Sequence, residues 1–268
     1  MIAGAVGEAL TGCEWVGIPF AGGCCELLEI KARTIVVNDL HRHLINLAGV
    51  VANPSCKATL QRRLGEMLFH PNELKTAQMF CEAAEQGDVG RMMPVPWAVS
   101  FFACCWMTRS GAAGTPQEFK AGQSLRWEAA GGDSNRRFRS AMESLDTFHR
   151  AMVDRCTFST LDVFDFLDKC KDRPKHGIYC DPPFYGPGAK YTHAPKTDAD
   201  QEAFHRQLAG SLGMFDNARI VVRAYDVPLI RELYNRAHWT WQHLNGRKQT
   251  NAAAPDVLIV SKQGNTNV

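Results

Sequence analysis

The sequence of 268 residues predicts an α/β fold: a mostly parallel sheet with helices on both faces, interrupted by a helical and loop-rich insertion. Three observations predict it. Short apolar runs of strand character alternate with stretches of helical apolar spacing near both ends of the chain, and such alternation builds a parallel sheet. The alternation stops between residues 55 and 150 and then resumes. The runs TIVVND and CTFSTLD close on an acid, and GIYC is followed by one, as strands do when their carboxyl ends form a site.

WVGIPF (15–20) reads as a short buried strand, broken by AGG (21–23), and CCELLEIKA (24–32) reads as a helix. TIVVND (34–39) is the second strand. LHRHLINLAGVVAN (40–53) has apolar residues spaced three and four apart, so a helix follows, closed by Asn53-Pro54. Apolar stripes in TLQRRLGEMLF and PWAVSFFACCWM make the insertion mostly helical. The glycine-rich polar stretch 110–136 is expected to be a surface loop, followed by a helix over 136–154. CTFSTLD (156–162) is a strand, VFDFLDKC (163–170) a short helix and GIYC (177–180) a strand. DADQEAFHRQLAGSL (198–212) is a helix, ARIVVRAY (218–225) a strand, and PLIRELYNRA (228–237) a helix with proline in its first turn. WTWQHL (239–244) and DVLIVS (256–261) close the sheet. The expected division is therefore a core of 1–54 with 151–268 and an insertion over 55–150.

The composition, 45% hydrophobic and 22% charged, is that of an ordinary globular chain, with no internal repeat. With 30 basic and 28 acidic residues, the net charge of +2 neither demands nor excludes a nucleic-acid partner. The opening MIAGAVGEAL lacks the basic flank and long apolar run of a signal peptide. No apolar run approaches the length that crosses a bilayer, so a cytoplasmic protein without membrane association is expected. Its ten cysteines are then expected to be reduced thiols. They form no C-x-x-C pair, and no metal site is expected. His41 and His43, two apart, would point to different faces of a helix and read as solvated surface residues.

Three constellations carry chemistry. In PFAGG, Pro19, Phe20, Ala21, Gly22 and Gly23 run from a strand into bare glycine backbone, where a ligand can approach closely. The spacing is not that of a dinucleotide fingerprint, which disfavours a nicotinamide-dependent oxidoreductase. Asp39, followed by Leu40, ends the second strand where nucleotide sites of α/β folds place a ribose-binding acid; the alternative is an N-cap for the next helix. In CDPPFYG, Asp181 follows a strand directly, and Pro182 and Pro183 fix two φ angles and remove two N–H donors. The Asp181 carboxylate and the Pro182 carbonyl then form a rigid row of acceptors, with the flat ring of Phe184 beside them. That arrangement suits a planar ligand carrying an amino group, such as a nucleobase.

On these residues the chain resembles the Dam-like class of DNA adenine-N6 methyltransferases, especially the divergent versions of phages and prophages. PFAGG is similar to their S-adenosylmethionine loop, VVNDLHRHLINL to their second motif and CDPPFYG to their D-P-P-Y/F catalytic motif. Asp162 resembles the acid on the strand before the catalytic one, and VVRAYDVPLIRELY the segment after the catalytic motif. The resemblance implies a Rossmann-like, class I S-adenosylmethionine-dependent fold. Its cofactor contacts would be Pro19, Phe20, Ala21, Gly22, Gly23, Asp39, Leu40, Asp162 and Asp181, and no metal is implied. It further implies an extruded target adenine stacked on Phe184, its amino group held by Asp181 and Pro182. DNA contacts are expected from Arg109, Lys120, Arg126, Arg136, Arg137 and Arg139 in the insertion and from Tyr185, in a monomer or weak dimer. Three departures accompany the resemblance: no Lys/Trp/Gly-rich motif precedes the first strand, Gly17-Ile18 stands where the class carries an acid, and the catalytic aromatic is Phe rather than Tyr. A cytosine-N4 or RNA amino methyltransferase and an inactive DNA-binding relative remain the alternatives.

Overall fold

The computed structural model describes residues 2–86, 92–108, 113–125, 133–244, 246–247 and 253–262. The chain forms two compact units, one of Met1–Leu40 with Arg155–Val268 and one of His41–Asp154.

The first unit holds a sheet of seven strands among the described residues: β1 (Trp15–Ile18), β2 (Thr34–Asn38), β3 (Cys156–Ser159), β4 (His176–Cys180), β5 (Arg219–Tyr225), β6 (Trp239–His243) and β7 (Asp256–Ser261). Their spatial order is β3-β2-β1-β4-β5-β7-β6. The pairings from β3 through β5 are parallel, and β7 lies antiparallel between β5 and β6. This is the mostly parallel sheet that the alternating pattern predicts, with the topology of a class I methyltransferase fold. β1 pairs with β2 on one side and β4 on the other, so the strand order reverses between β1 and β4, where open α/β sheets bind ligands. Val163, Phe166, Leu167, Ile178, Leu208, Leu212, Ile220, Val222 and Ile259 form a core between the sheet and its helices. The short helix Val163–Lys169 and the helix Asp198–Leu212 supply the apolar faces.

The second unit is helical: α2 (Arg42–Ala52), α3 (Pro54–Glu66), α4 (Pro71–Gln86), α5 (Pro94–Met107) and α6 (Ser134–Met152); α1 (Ile2–Ala9) belongs to the first unit. Asn53 closes α2 and opens α3, its side chain accepting the Cys56 N–H, with Pro54 in the first turn. α5 runs through the middle, with Trp97, Phe101, Phe102 and Cys104 buried. The unit boundaries fall at 40/41 and 154/155 rather than at the expected 54/55 and 150/151, because α2 buries His43, Ile45, Ala48, Val50 and Val51 while packing against α3, α5 and α6.

Three local expectations are corrected. CCELLEIKA makes a single 3-10 turn, Cys25–Leu28, instead of a helix over 24–32. Cys24 sits at φ 56°, and the Arg155 guanidinium takes the carbonyls of Leu27, Ile30 and Ala32, which ends the turn. The helix expected over 228–237 stops at Leu233, where the Tyr234 carbonyl accepts the Trp241 indole N–H at 2.8 Å. The histidines are not surface residues. His41 is the N-cap of α2, accepting the Leu44 N–H on Nδ1, and pairs through Nε2 with Glu118 at 2.8 Å. His43 is buried; its Nδ1 accepts the Trp97 indole N–H, so its proton sits on Nε2 and is donated to Glu85. The helical offset does not apply, because His41 lies outside the helix.

Candidate active site

The site grows from the carboxyl ends of β1, β2, β3 and β4. Gly17 of β1 stands opposite Ile178 of β4, so the chain leaves both strands at the same end of the sheet, into PFAGG on one side and DPPF on the other. Gly22 adopts φ 46°, and a Cβ built there meets nothing within 4 Å, so the backbone is open to close approach. Its N–H donates to Oδ2 of Asp39 at 3.1 Å. Asp39 thus holds the glycine loop, and the capping role offered as its alternative belongs to His41. Pro19 and Ala21 are buried, Phe20 sets its ring edge-on to Phe204, Gly23 is exposed and Leu40 is 39% exposed. Asp162 ends the β3 loop and caps the helix Val163–Lys169 by accepting the Phe164 N–H at 2.9 Å.

The sequence reading missed the residue that ties these loops together. Asn38, the last residue of β2, is 1% exposed and makes four hydrogen bonds. Its Nδ2 donates to the carbonyls of Pro19 and Leu161, and its Oδ1 accepts from the Ser159 hydroxyl and the Leu161 N–H. The partners fix the amide orientation, because two face it as acceptors and two as donors.

Asp181 follows Cys180, the end of β4, and its side chain is 23% exposed. Burial pushes its carboxyl up to about 6; Arg223 works downward, while Glu26 and Asp256 add to the rise. Arg223 of β5 donates from Nη1 to Asp181 Oδ2 at 3.1 Å and from Nη2 to Asp256 of β7 at 3.3 Å. Its guanidinium lies 5.2 Å from the centre of the Phe184 ring, which packs on Tyr225 at 4.4 Å. Arg223, Tyr225 and Asp256 went unread. A charged residue inside the apolar run RIVVRAY was the available signal, since buried arginines are rare unless paired.

The turn after Asp181 is held from the helix Asp198–Leu212. Gln201 accepts the Gly186 N–H at 2.7 Å. His205, which burial holds below the usual histidine range, hydrogen-bonds the Pro183 backbone; proline has no N–H, so the imidazole donates to its carbonyl. Gln201 and His205 are four apart, on one helix face. Pro182 is buried, and Gly188 folds back so closely that a Cβ there would lie 2.6 Å from the Pro183 carbonyl carbon. Tyr185 is half-buried, edge-on to His205.

Of the residues expected to touch DNA, Arg109 and Arg126 lie outside the described residues. Lys120, Arg136 and Arg137 are exposed. Arg139 is differently engaged: its guanidinium donates to the carbonyls of Leu64, Gly65 and Met67, capping the carboxyl end of α3. Among the described residues no cluster of His, Cys, Asp and Glu is arranged to hold a metal ion, and no helix is long and apolar enough to cross a membrane.

No curated protein matches the chain at a significant level. A family does: D12 class N6 adenine-specific DNA methyltransferase, over residues 18–245. The match runs from the end of β1 to just beyond β6 and takes in the glycine loop, Asp39 and the Asp181–Phe184 segment. The chain therefore belongs to the D12 class of N6 adenine-specific DNA methyltransferases, enzymes that methylate the N6 amino group of adenine in DNA and, as methyltransferases generally do, draw the methyl group from S-adenosylmethionine.

Proposed function

We propose that methyl transfer takes place at the carboxyl ends of β1 and β4, with Asp181, Pro182, Pro183 and Phe184 holding the target adenine. Residues 19–23, Asp39, Leu40 and Asp162 hold the cofactor beside it. One observation carries this reading: the glycine loop and the D-P-P-F segment leave adjacent parallel strands at the point where the strand order reverses.

The residues fit the cofactor. Gly22 leaves space where a Cβ would stand, and Asp39 and Asp162 offer carboxylates to hydroxyl and amino groups at the ends of β2 and β3. When bound, S-adenosylmethionine supplies an electrophilic methyl group on a positively charged sulfur, whose departure as a neutral thioether needs no acid. The chain's own work is positioning. An adenine stacked in a duplex cannot reach the cleft, so it is extruded, and Phe184, backed by Tyr225, stacks on it. The adenine amino nitrogen is a poor nucleophile because its lone pair is delocalised into the ring. Accepting its two N–H bonds at Asp181 and at the Pro182 carbonyl turns the lone pair out of the ring plane. The Asp181 carboxylate also stabilises the positive charge that grows on the nitrogen, and the one N–H proton the methylated nitrogen gives up passes through this carboxylate to water. Because His205 occupies the Pro183 carbonyl, the preceding carbonyl is the one assigned to the amine.

The unit His41–Asp154 is assigned the DNA contacts, with Lys120, Arg136 and Arg137 on phosphates. The test is Asp181→Ala: methyl transfer to DNA should fall to background while calorimetric binding of S-adenosylmethionine stays within about threefold. Undiminished transfer would end the assignment.

A further inference from the structure

Arg223 is a charged side chain on a central strand, pinned on three sides by Asp181, Asp256 and the Phe184 ring. Its Nε is buried with no hydrogen-bond partner, so the side chain is held by its two terminal nitrogens alone. The register explains the meeting. Cys180 stands opposite Val222, so the next positions, Asp181 and Arg223, emerge together; Tyr225 pairs with Asp256 across the other edge of β5. Only one oxygen of the catalytic carboxylate is engaged. Arg223 takes Oδ2, and Oδ1 carries no hydrogen bond among the described residues.

We propose that Arg223 is the positioning residue of the catalytic carboxylate: it fixes Oδ2 and leaves Oδ1 for the adenine amino group, with Asp256 as its anchor. This rests on the reading of Asp181 given above. The groups facing Asp181 make such a residue necessary. Glu26, on the turn after the glycine loop, and Asp256, on β7, both bear negative charge toward it, and Tyr179, two residues back on β4, presents a buried hydroxyl without a partner. Arg223 is the cation that acts most strongly on Asp181, and the two carboxylates hold it firmly charged against the effect of burial. Two carboxylates on one guanidinium also fix its plane, which a lysine could not do.

The test is a carboxyl-carbon NMR titration of Asp181 in the full chain, beside a pH–rate profile for DNA methylation. In the unaltered protein the midpoint should lie at about 6. Arg223→Gln should raise it by about one unit or more, because an opposite charge at this distance has been removed. Arg223→Lys should keep the midpoint and the acid limb of kcat but lower kcat itself, having charge without the planar fork. Asp256→Asn should lower the midpoint. Calorimetric affinity for S-adenosylmethionine should be unchanged in all three. An unmoved midpoint in Arg223→Gln, or a tenfold loss of cofactor affinity in Arg223→Lys, would overturn the proposal. Should Arg223→Gln fail to fold, Arg223→Lys decides: a lowered kcat with an unmoved midpoint supports the proposal, and an unchanged kcat overturns it. Methylation by Asp181→Ala would sink the underlying site reading instead, without moving the titration result.

Discussion

Asn38→Ala tests whether one buried amide assembles the cofactor side of the site. The side chain joins the loops after β1 and β3 to the end of β2 through bonds of 3.1 Å to Pro19, 2.9 Å and 2.8 Å to Leu161 and 2.8 Å to Ser159. At roughly 1 kcal/mol net per bond the sum is about 4 kcal/mol; Ser159 and Leu161 are half-buried and regain some hydration, so a loss of about 3 kcal/mol is expected. Denaturant unfolding measures it, with Ser159→Ala as a single-bond control expected to lose about 1 kcal/mol. Asn38→Asp separates hydrogen bonding from packing. It keeps the shape but turns a carboxylate oxygen toward two carbonyls, and should cost more than alanine does. S-adenosylmethionine affinity should fall at least tenfold in both variants, since Pro19 is among the residues assigned to it and Leu161 precedes Asp162, another of them. A loss below about 1 kcal/mol in Asn38→Ala, or an Asn38→Asp variant as stable as the original, would refute the hub.

Two further outcomes follow from charges. Arg136→Ala with Arg137→Ala should flatten the log–log salt dependence of DNA binding by about 1.8, near 0.9 for each lost phosphate contact, whereas Arg139→Ala should leave the slope alone and cost about 1–2 kcal/mol through the uncapped carbonyls of α3. Asp181 makes stability pH-dependent: its folded value of about 6 lies above the ordinary 3.8, so the folded state binds the extra proton between those values and loses stability as pH rises through them. A shift of about two units is worth roughly 3 kcal/mol, so the unfolding free energy of the original relative to Asp181→Asn should drop by about that much from pH 4 to pH 7; parallel curves would contradict the assignment.

The legible parts of the fold were those where a short stretch decides its own state. DVLIVS and DADQEAFHRQLAGSL became β7 and the helix Asp198–Leu212 with their expected bounds, one from an unbroken apolar run and the other from helical spacing after Thr197, whose hydroxyl caps it. The illegible parts depend on distant partners. CCELLEIKA carries a helical pattern, yet Arg155, more than 120 residues on, takes the carbonyls a helix would use. The histidines were misread because the helix starts at Arg42, one residue after His41. Around the proposed site, Asp39 and Asp181 stand out in the sequence because each is an acid at the end of an apolar strand run. Arg223 and Asn38 do not, since each looks like an ordinary strand residue until the sheet order sets its neighbours.

The polar groups of the first unit differ in how fully they are satisfied, and the difference supports the proposed place of the reaction. Structural ones are satisfied outright: Asp172 accepts the backbone N–H groups of Asp216, Asn217 and Ala218, Arg155 closes the turn at Leu27, and Asn38 meets four partners. Around Asp181 the opposite holds. Its own carboxyl is pushed upward, the Tyr179 hydroxyl is buried without a partner, the Arg223 Nε is likewise orphaned, and the charges of Glu26 and Asp256 also act on it. A fold selected only for stability would replace such groups with apolar ones, because an unsatisfied buried polar atom costs about 1–3 kcal/mol. Two of the three orphaned atoms of the first unit, Tyr179 Oη and Arg223 Nε, lie beside Asp181, while the third, Arg219 Nε, sits at the far end of β5; the pair supports the proposed site, where strain is held by the well-satisfied structure around it.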